Sequence, residues 1–195
     1  MRSKLLVALI AGVSGYVATA LSGENPQHIK EMPRPEGFWS TPAIEGYGKI
    51  HYETDVLEYK PTTALSNKIV IQLTKSEGSP ERANIGLERA ARMVNLYTAA
   101  GIPKDQQHIV VSITGDATPA VLNNQQFKRL YGFDNPSLSL IAELKKAGVV
   151  VSVCDQSVAF HHFDYDWIDK SVVHALSSPT TVSTLENQGY AFLSL

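Results

Sequence analysis

The sequence has a single cysteine, Cys154, so no disulfide can form within one chain. Small scaffolds held by several disulfides are thereby excluded. It has no block of lysine or arginine, and 17 basic against 19 acidic residues give a formal net charge of -2. A protein that tracks a phosphate backbone carries a basic stripe, so nucleic acid is not an expected partner. No G-x-S-x-G elbow, no G-x-x-x-x-G-K-[ST] phosphate loop and no G-x-G-x-x-G after a strand occurs, which argues against hydrolase, nucleotidase and dehydrogenase chemistry. There is no internal repeat and no low-complexity tract.

One apolar stretch stands out, and it is at the start. Arg2 and Lys4 precede the run Leu5 to Val17, and Ala18, Thr19 and Ala20 supply small residues at the spacing that signal peptidase accepts. Residues 1–20 read as a secretion signal, with an uncleaved anchor as the alternative. The run is shorter than the roughly 20 apolar residues of a membrane-spanning helix. The mature protein is expected to be periplasmic or secreted, with no membrane association once the signal is removed. Loss of Arg2 and Lys4 takes the charge from -2 to -4, and 195 less 20 leaves 175 residues, enough for one domain with a full core.

Residues 21–65 are rich in proline, glycine and isolated aromatics, among them Pro33, Pro35, Phe38, Trp39 and Pro42. They lack helical or strand periodicity and read as an extended arm lying on the domain or on a neighbouring subunit, with Lys49 to Tyr52 as a short edge segment. Residues 66–195 change character. Lys68 to Thr74, His108 to Thr114 and Val149 to Cys154 are β-branched runs suited to buried strands, and shorter strands are expected at Ser171 to Leu176 and Tyr190 to Leu193. Helices are expected from Ser79 and Pro80 to Gly101, around Val121 to Tyr131, from Asn135 to Gly148, over Asp155 to Phe160, and from Ser178 to Gly189. In the first of these, Ala83, Leu87, Ala90, Ala91, Val94 and Tyr97 form the inward face, and Asn95 falls on the outward one. Strands alternating with helices imply an α/β fold: a mainly parallel five-stranded sheet with helices on both faces, a three-layer sandwich.

Ligand sites of such sheets lie at the carboxyl ends of the strands, and Cys154 stands at such an end. Two readings of it stay open. Free cysteine is among the most buried residue types, yet a strand end leading into a helix is also a setting that favours the reactive thiolate, which the carboxylate of Asp155 opposes. Thr114, Gly115 and Asp116 follow the second long strand at the same edge and are candidate pocket residues, as are Asp155, Gln156 and Ser157. His161, His162, Asp164 and Asp166 are metal-ligand types, but adjacent histidines on a regular element point apart and the spacing from Cys154 matches no metal motif. They read as a loop or subunit-contact segment with Phe160, Phe163, Tyr165 and Trp167, and His161 and His162 stay candidates for the pocket around the thiol. No metal site is assigned.

The ordered segments KIVIQLT, GLERAARMVNLYTAAGIP, ATPAVLNNQQF, DNPSLSLIAELKKAGVVVSVCDQS and LSSPTTVSTLENQGYAFL resemble the DsrE/DsrF-like family, particularly its exported members, over about residues 44–195. The resemblance implies a trimer or hexamer built on this fold. It also implies sulfur relay, in which a cysteine matching Cys154 carries sulfur as a persulfide between a donor and an acceptor protein, without metal or organic cofactor. Exported relatives often have His-Gly-Pro at Thr114, Gly115, Asp116 and Cys-Gly-Gln at Cys154, Asp155, Gln156. The expectation from a different class is a non-catalytic oligomeric binding or scaffold protein in which Cys154 is packing.

Overall fold

The structure is a computed structural model and describes residues 34–195. The expected signal segment and the first part of the arm lie outside the described residues. Among the described residues no helix is long and apolar enough to cross a membrane.

Among the described residues five strands form one sheet: β1 (Lys68–Leu73), β2 (His108–Ile113), β3 (Val150–Cys154), β4 (Val173–Ala175) and β5 (Ala191–Ser194). Their order is β4-β3-β2-β1-β5, and every pairing is parallel. The helices are α1 (Ile85–Ala99), α2 (Asn124–Tyr131), α3 (Ser137–Lys146), α4 (Asp155–Phe160) and α5 (Ser178–Asn187), with a 3-10 helix over Gly115–Val121. Each expected strand is present: β1 and β2 stop one residue short at Leu73 and Ile113, β3 starts at Val150, β4 keeps only three residues of Ser171 to Leu176, and β5 shifts by one residue to Ala191–Ser194.

Alternation along the strands sorts the two faces. Ile69, Ile71, Leu73, Ile109, Val111, Ile113, Val151 and Val153 point to one face and pack with Leu87 and Val94 of α1 and Leu140, Ile141 and Leu144 of α3. Burial of each such side chain is worth about 1.5–3 kcal/mol, so this layer is the principal core. The opposite face carries Gln72, Ser112 and Ser152 in one row across three strands. Helix α5 lies on it: Ser178 is fully buried and its Oγ accepts from Gln72 Nε2 (2.8 Å) and Ser112 Oγ (3.0 Å).

The start of α1 differs from the expected one. Ser79 and Pro80 form a turn, with Arg82 N–H donating to Ser79 O, and the helix begins after Asn84. Asn84 is the stronger cap because its Oδ1 accepts from the Gly86 and Leu87 N–H groups while its Nδ2 donates to Lys75 O. Gly86 then permits close approach to the sheet, since a Cβ there would lie 2.8 Å from Leu73 Cδ2. Helices α4 and α5 begin at Asp155 and Ser178 as expected, with Ser177 as the cap of α5, whereas α3 begins at Ser137 after Pro136 and α2 only at Asn124, Val121 belonging to the 3-10 helix before it.

Asn95 is the larger correction. It is not on a solvated face: it is 0% exposed, and its side chain serves four backbone groups of the arm. Its Oδ1 accepts from Ala43 and Ile44 N–H (2.9 Å each), and its Nδ2 donates to Tyr47 O (2.9 Å) and Gly48 O (3.0 Å). Around it Glu88 accepts from Gly48 N–H (2.7 Å), Ile44 enters the core, and Ser40 pairs with Ile50. Gly48 has φ +58 and comes so close to α1 that a Cβ would lie 2.3 Å from Arg92 N. Residues 40–50 therefore lie on the domain.

Asn95→Ala leaves four buried or half-buried backbone groups without their partner, and each such loss costs about 1–3 kcal/mol. The expected outcome is a drop of at least about 2 kcal/mol in urea-unfolding stability, with new protease cleavage within residues 40–50. An unchanged midpoint and cleavage pattern would contradict the role assigned to Asn95.

Candidate functional site

The strand order places one crevice at the carboxyl edge of the sheet. After β3 the chain turns into α4, whose Val158 joins the core on the α1 and α3 face. After β4 it turns into α5 on the other face. Neighbouring strands whose connections leave in opposite directions create the crevice in which open α/β sheets bind ligands. Cys154 is the last residue of β3, beside that divergence, and its backbone partner on β4 is Ala175.

Cys154 is 3% exposed and is the residue preceding α4. It is buried but does not belong to the main apolar cluster, since alternation along β3 places it on the α5 face with Ser152, whose Oγ donates to Val111 O (3.1 Å). Ser152 and Ala175 both line an open groove of about 490 Å³ between α5 and the strands, together with Val110, Val150, Val173 and Leu176. Cys154 follows Ser152 along β3 and is the strand partner of Ala175, so it stands next to this mostly apolar groove without lining it. A thiol acts as a nucleophile through its thiolate, and the neighbouring carboxylate that would oppose that charge, Asp155, is tied to an imidazole: Asp155 Oδ1 and His174 Nδ1 are 2.6 Å apart.

Three of the candidate residues meet in a second cluster, on the other side of the strand end. Gly115 adopts φ +56 with its backbone against Thr74 O, which would lie 3.0 Å from a Cβ. Its carbonyl accepts two hydrogen bonds, from Thr118 Oγ1 (2.7 Å) and from His161 Nε2 (2.9 Å). Ser157 Oγ is 2.7 Å from Thr118 Oγ1. Thr118 has one hydroxyl proton, which goes to Gly115 O, so Ser157 is the donor in that pair. The relay Ser157 to Thr118 to Gly115 with His161 closing on the same carbonyl fastens α4 to the 3-10 helix after β2. His161 also stacks on Phe163 at 5.3 Å.

The remaining candidates lie apart from this cluster. Thr114 continues β2, its N–H donating to Leu73 O (2.9 Å), and caps the 3-10 helix. Asp116 is exposed. Gln156 is exposed and its Nε2 donates to Leu176 O (3.2 Å). His162 is exposed with φ +55, in the left-handed position that ends α4, where Phe163 N–H closes back on Val158 O. Among the described residues no three His, Cys, Asp or Glu side chains stand together as a metal ion would require. Thr118 and His174 belong to this region and carry no sequence signal of their own. Their partners are 39 and 19 residues away, so only the fold reveals them.

A larger cleft, about 900 Å³, is lined by Tyr47, Glu77, Ser79, Arg82, Glu88 and Arg92. It lies over the loop after β1 and does not include Cys154 or its neighbours. Glu77 is paired with Arg89 and Glu88 with Gly48 N–H, so much of its charge serves the arm and the loop.

The family model described as the DsrE/DsrF-like family matches residues 67–195. Among solved structures the chain is similar to a protein of unknown function from Methanobacterium thermoautotrophicum, at 13% identity and a TM-score of 0.43, covering 65% of this chain and 97% of that one. It is also similar to the ychN protein from E. coli, at 13% identity and a TM-score of 0.46, covering 66% of this chain and 99% of that one. No curated protein matches the sequence.

The hydroxyl relay generates a prediction. Thr118→Val leaves the buried Ser157 hydroxyl and one lone pair of Gly115 O unserved, at a cost of about 1–3 kcal/mol. Ser157→Ala is expected to cost less, and the double variant less than the sum. Additive losses in urea unfolding would show that the two hydroxyls do not act together.

Proposed function

Since the chain belongs to the DsrE/DsrF-like family, we propose that it is a sulfur-relay protein whose Cys154 carries sulfane sulfur as a persulfide. The observation that carries this reading is the placement of its one thiol at the β3–β4 crevice, on the ligand-facing edge of the sheet. The step is an exchange without net oxidation. The Cys154 thiolate attacks the outer sulfur of a donor persulfide, the donor S–S bond breaks, the donor leaves as its thiolate, and Cys154 holds the transferred sulfur. The reverse attack by an acceptor thiolate on that outer sulfur returns Cys154 to its starting state. Transfer of this kind needs a donor and an acceptor protein and no metal or organic cofactor.

The proposed setting is extracytoplasmic, through residues 1–20, and the proposed assembly is a homotrimer or homohexamer. Val150, Val173, Leu176 and Phe192 support assembly, because they are large apolar side chains left exposed on or beside the α5 face. One observation favours a second reading. Cys154 is almost wholly buried, as a packing residue would be, and an oligomeric scaffold without transfer chemistry would need nothing more of it.

Intact mass of the native protein after incubation with a sulfane sulfur donor, without reductant, separates the two. The relay reading expects a gain of one sulfur atom that DTT removes and that Cys154→Ser abolishes. An unchanged mass, with a thiol that reacts only in denaturant, would establish the scaffold reading instead.

A further inference from the structure

Residues 173–177 run between two buried anchors. Before them Val172 is buried and its N–H donates to Asp169 O (3.0 Å). After them Ser178 is held by Gln72 and Ser112. Between the anchors, β4 pairs on one side only among the described residues and through three residues, and Val173, His174 and Leu176 are exposed. Two side chains from the first turn of α4 fasten the span at the flank of Cys154. Asp155 Oδ1 holds His174 Nδ1 at 2.6 Å, and Gln156 Nε2 donates to Leu176 O at 3.2 Å. Tyr165 meets the His174 ring edge-on at 5.6 Å. Ala175, the strand partner of Cys154, sits between the two fastenings.

From this geometry we infer that residues 173–177 are a strap over Cys154, latched by Asp155, Gln156 and His174. Releasing the two contacts lets β4 peel from β3 and uncovers the thiol while the core stays folded. A short edge strand gives up few backbone hydrogen bonds when it opens, and the buried anchors on both sides confine the opening. The strap deepens the sulfur-relay reading and rests on it for its purpose alone. A thiol covered in the closed state meets its donor in the open one, and reclosing shields the loaded persulfide from further oxidation. The opening itself is a property of the fold, readable with a plain thiol reagent.

The test is the rate at which DTNB reacts with Cys154 in the native full chain across sub-denaturing urea. A strap gives a rate with a much weaker urea dependence than global unfolding. His174→Ala and Gln156→Ala should each raise that rate by about three- to tenfold without urea, the scale of one partly exposed polar contact, while the unfolding midpoint moves little. Three results would overturn the strap: labelling that follows global unfolding, rates unmoved by both variants, or wild type reacting as fast as the unfolded chain. Strap-like labelling in a protein that takes up no sulfane sulfur would uphold the strap and remove the relay reading alone.

Discussion

The arrangement depends on one constraint, the constant hand of crossovers between parallel strands. From β1 through β3 to β4 the chain moves across the sheet in one direction, then returns past β1 to lay down β5. Keeping the same hand while travel reverses requires the returning helix to change face. Helix α5 therefore lies opposite α1 and α3, and the chain parts company with itself between β3 and β4. The crevice at Cys154 follows from that reversal, as do the polar row of Gln72, Ser112 and Ser152 that receives α5 and the deep burial of Ser178.

The strands were legible because a parallel sheet covered on both faces demands long β-branched runs, and KIVIQLT, HIVVSIT and VVVSVC stand clear of their surroundings. Helix ends marked by glycine were legible for a related reason. Gly101, Gly148 and Gly189 all have positive φ, which few other residues adopt without strain. The start of α1 was not, because Ser79-Pro80 and Asn84 are both good caps in isolation. The choice falls to Asn84 through its tertiary partners, Ser137 Oγ on its N–H and Lys75 O on its amide.

The candidate site was legible in part. The position of Cys154 at a strand end and the short helix after it were readable from local pattern. The roles of Asn95, Thr118 and His174 were not, since each is a polar residue whose meaning lies in a partner far along the chain: 48 residues for Asn95 and Tyr47, 39 for Thr118 and Ser157. Periodicity puts a polar side chain outward by default, and the fold turned Asn95 inward because an arm rich in proline and glycine has backbone groups that its own segment cannot pair. The histidine pair divides for the same kind of reason. His161 faces the Gly115 carbonyl, while His162 takes the left-handed turn that ends α4.

Burial and transfer chemistry pull in opposite directions at Cys154, and the proposed strap reconciles them by making access conditional on the shortest strand of the sheet. The central claim is that sulfur rides on this thiol in the working protein. The most direct measurement is peptide-level mass spectrometry of the protein isolated from its own cells without reductant, after rapid alkylation. The account predicts a fraction of the Cys154 peptide bearing one extra sulfur atom beneath the alkyl group. A peptide found solely as the simply alkylated thiol, even in cells supplied with reduced sulfur, would contradict it.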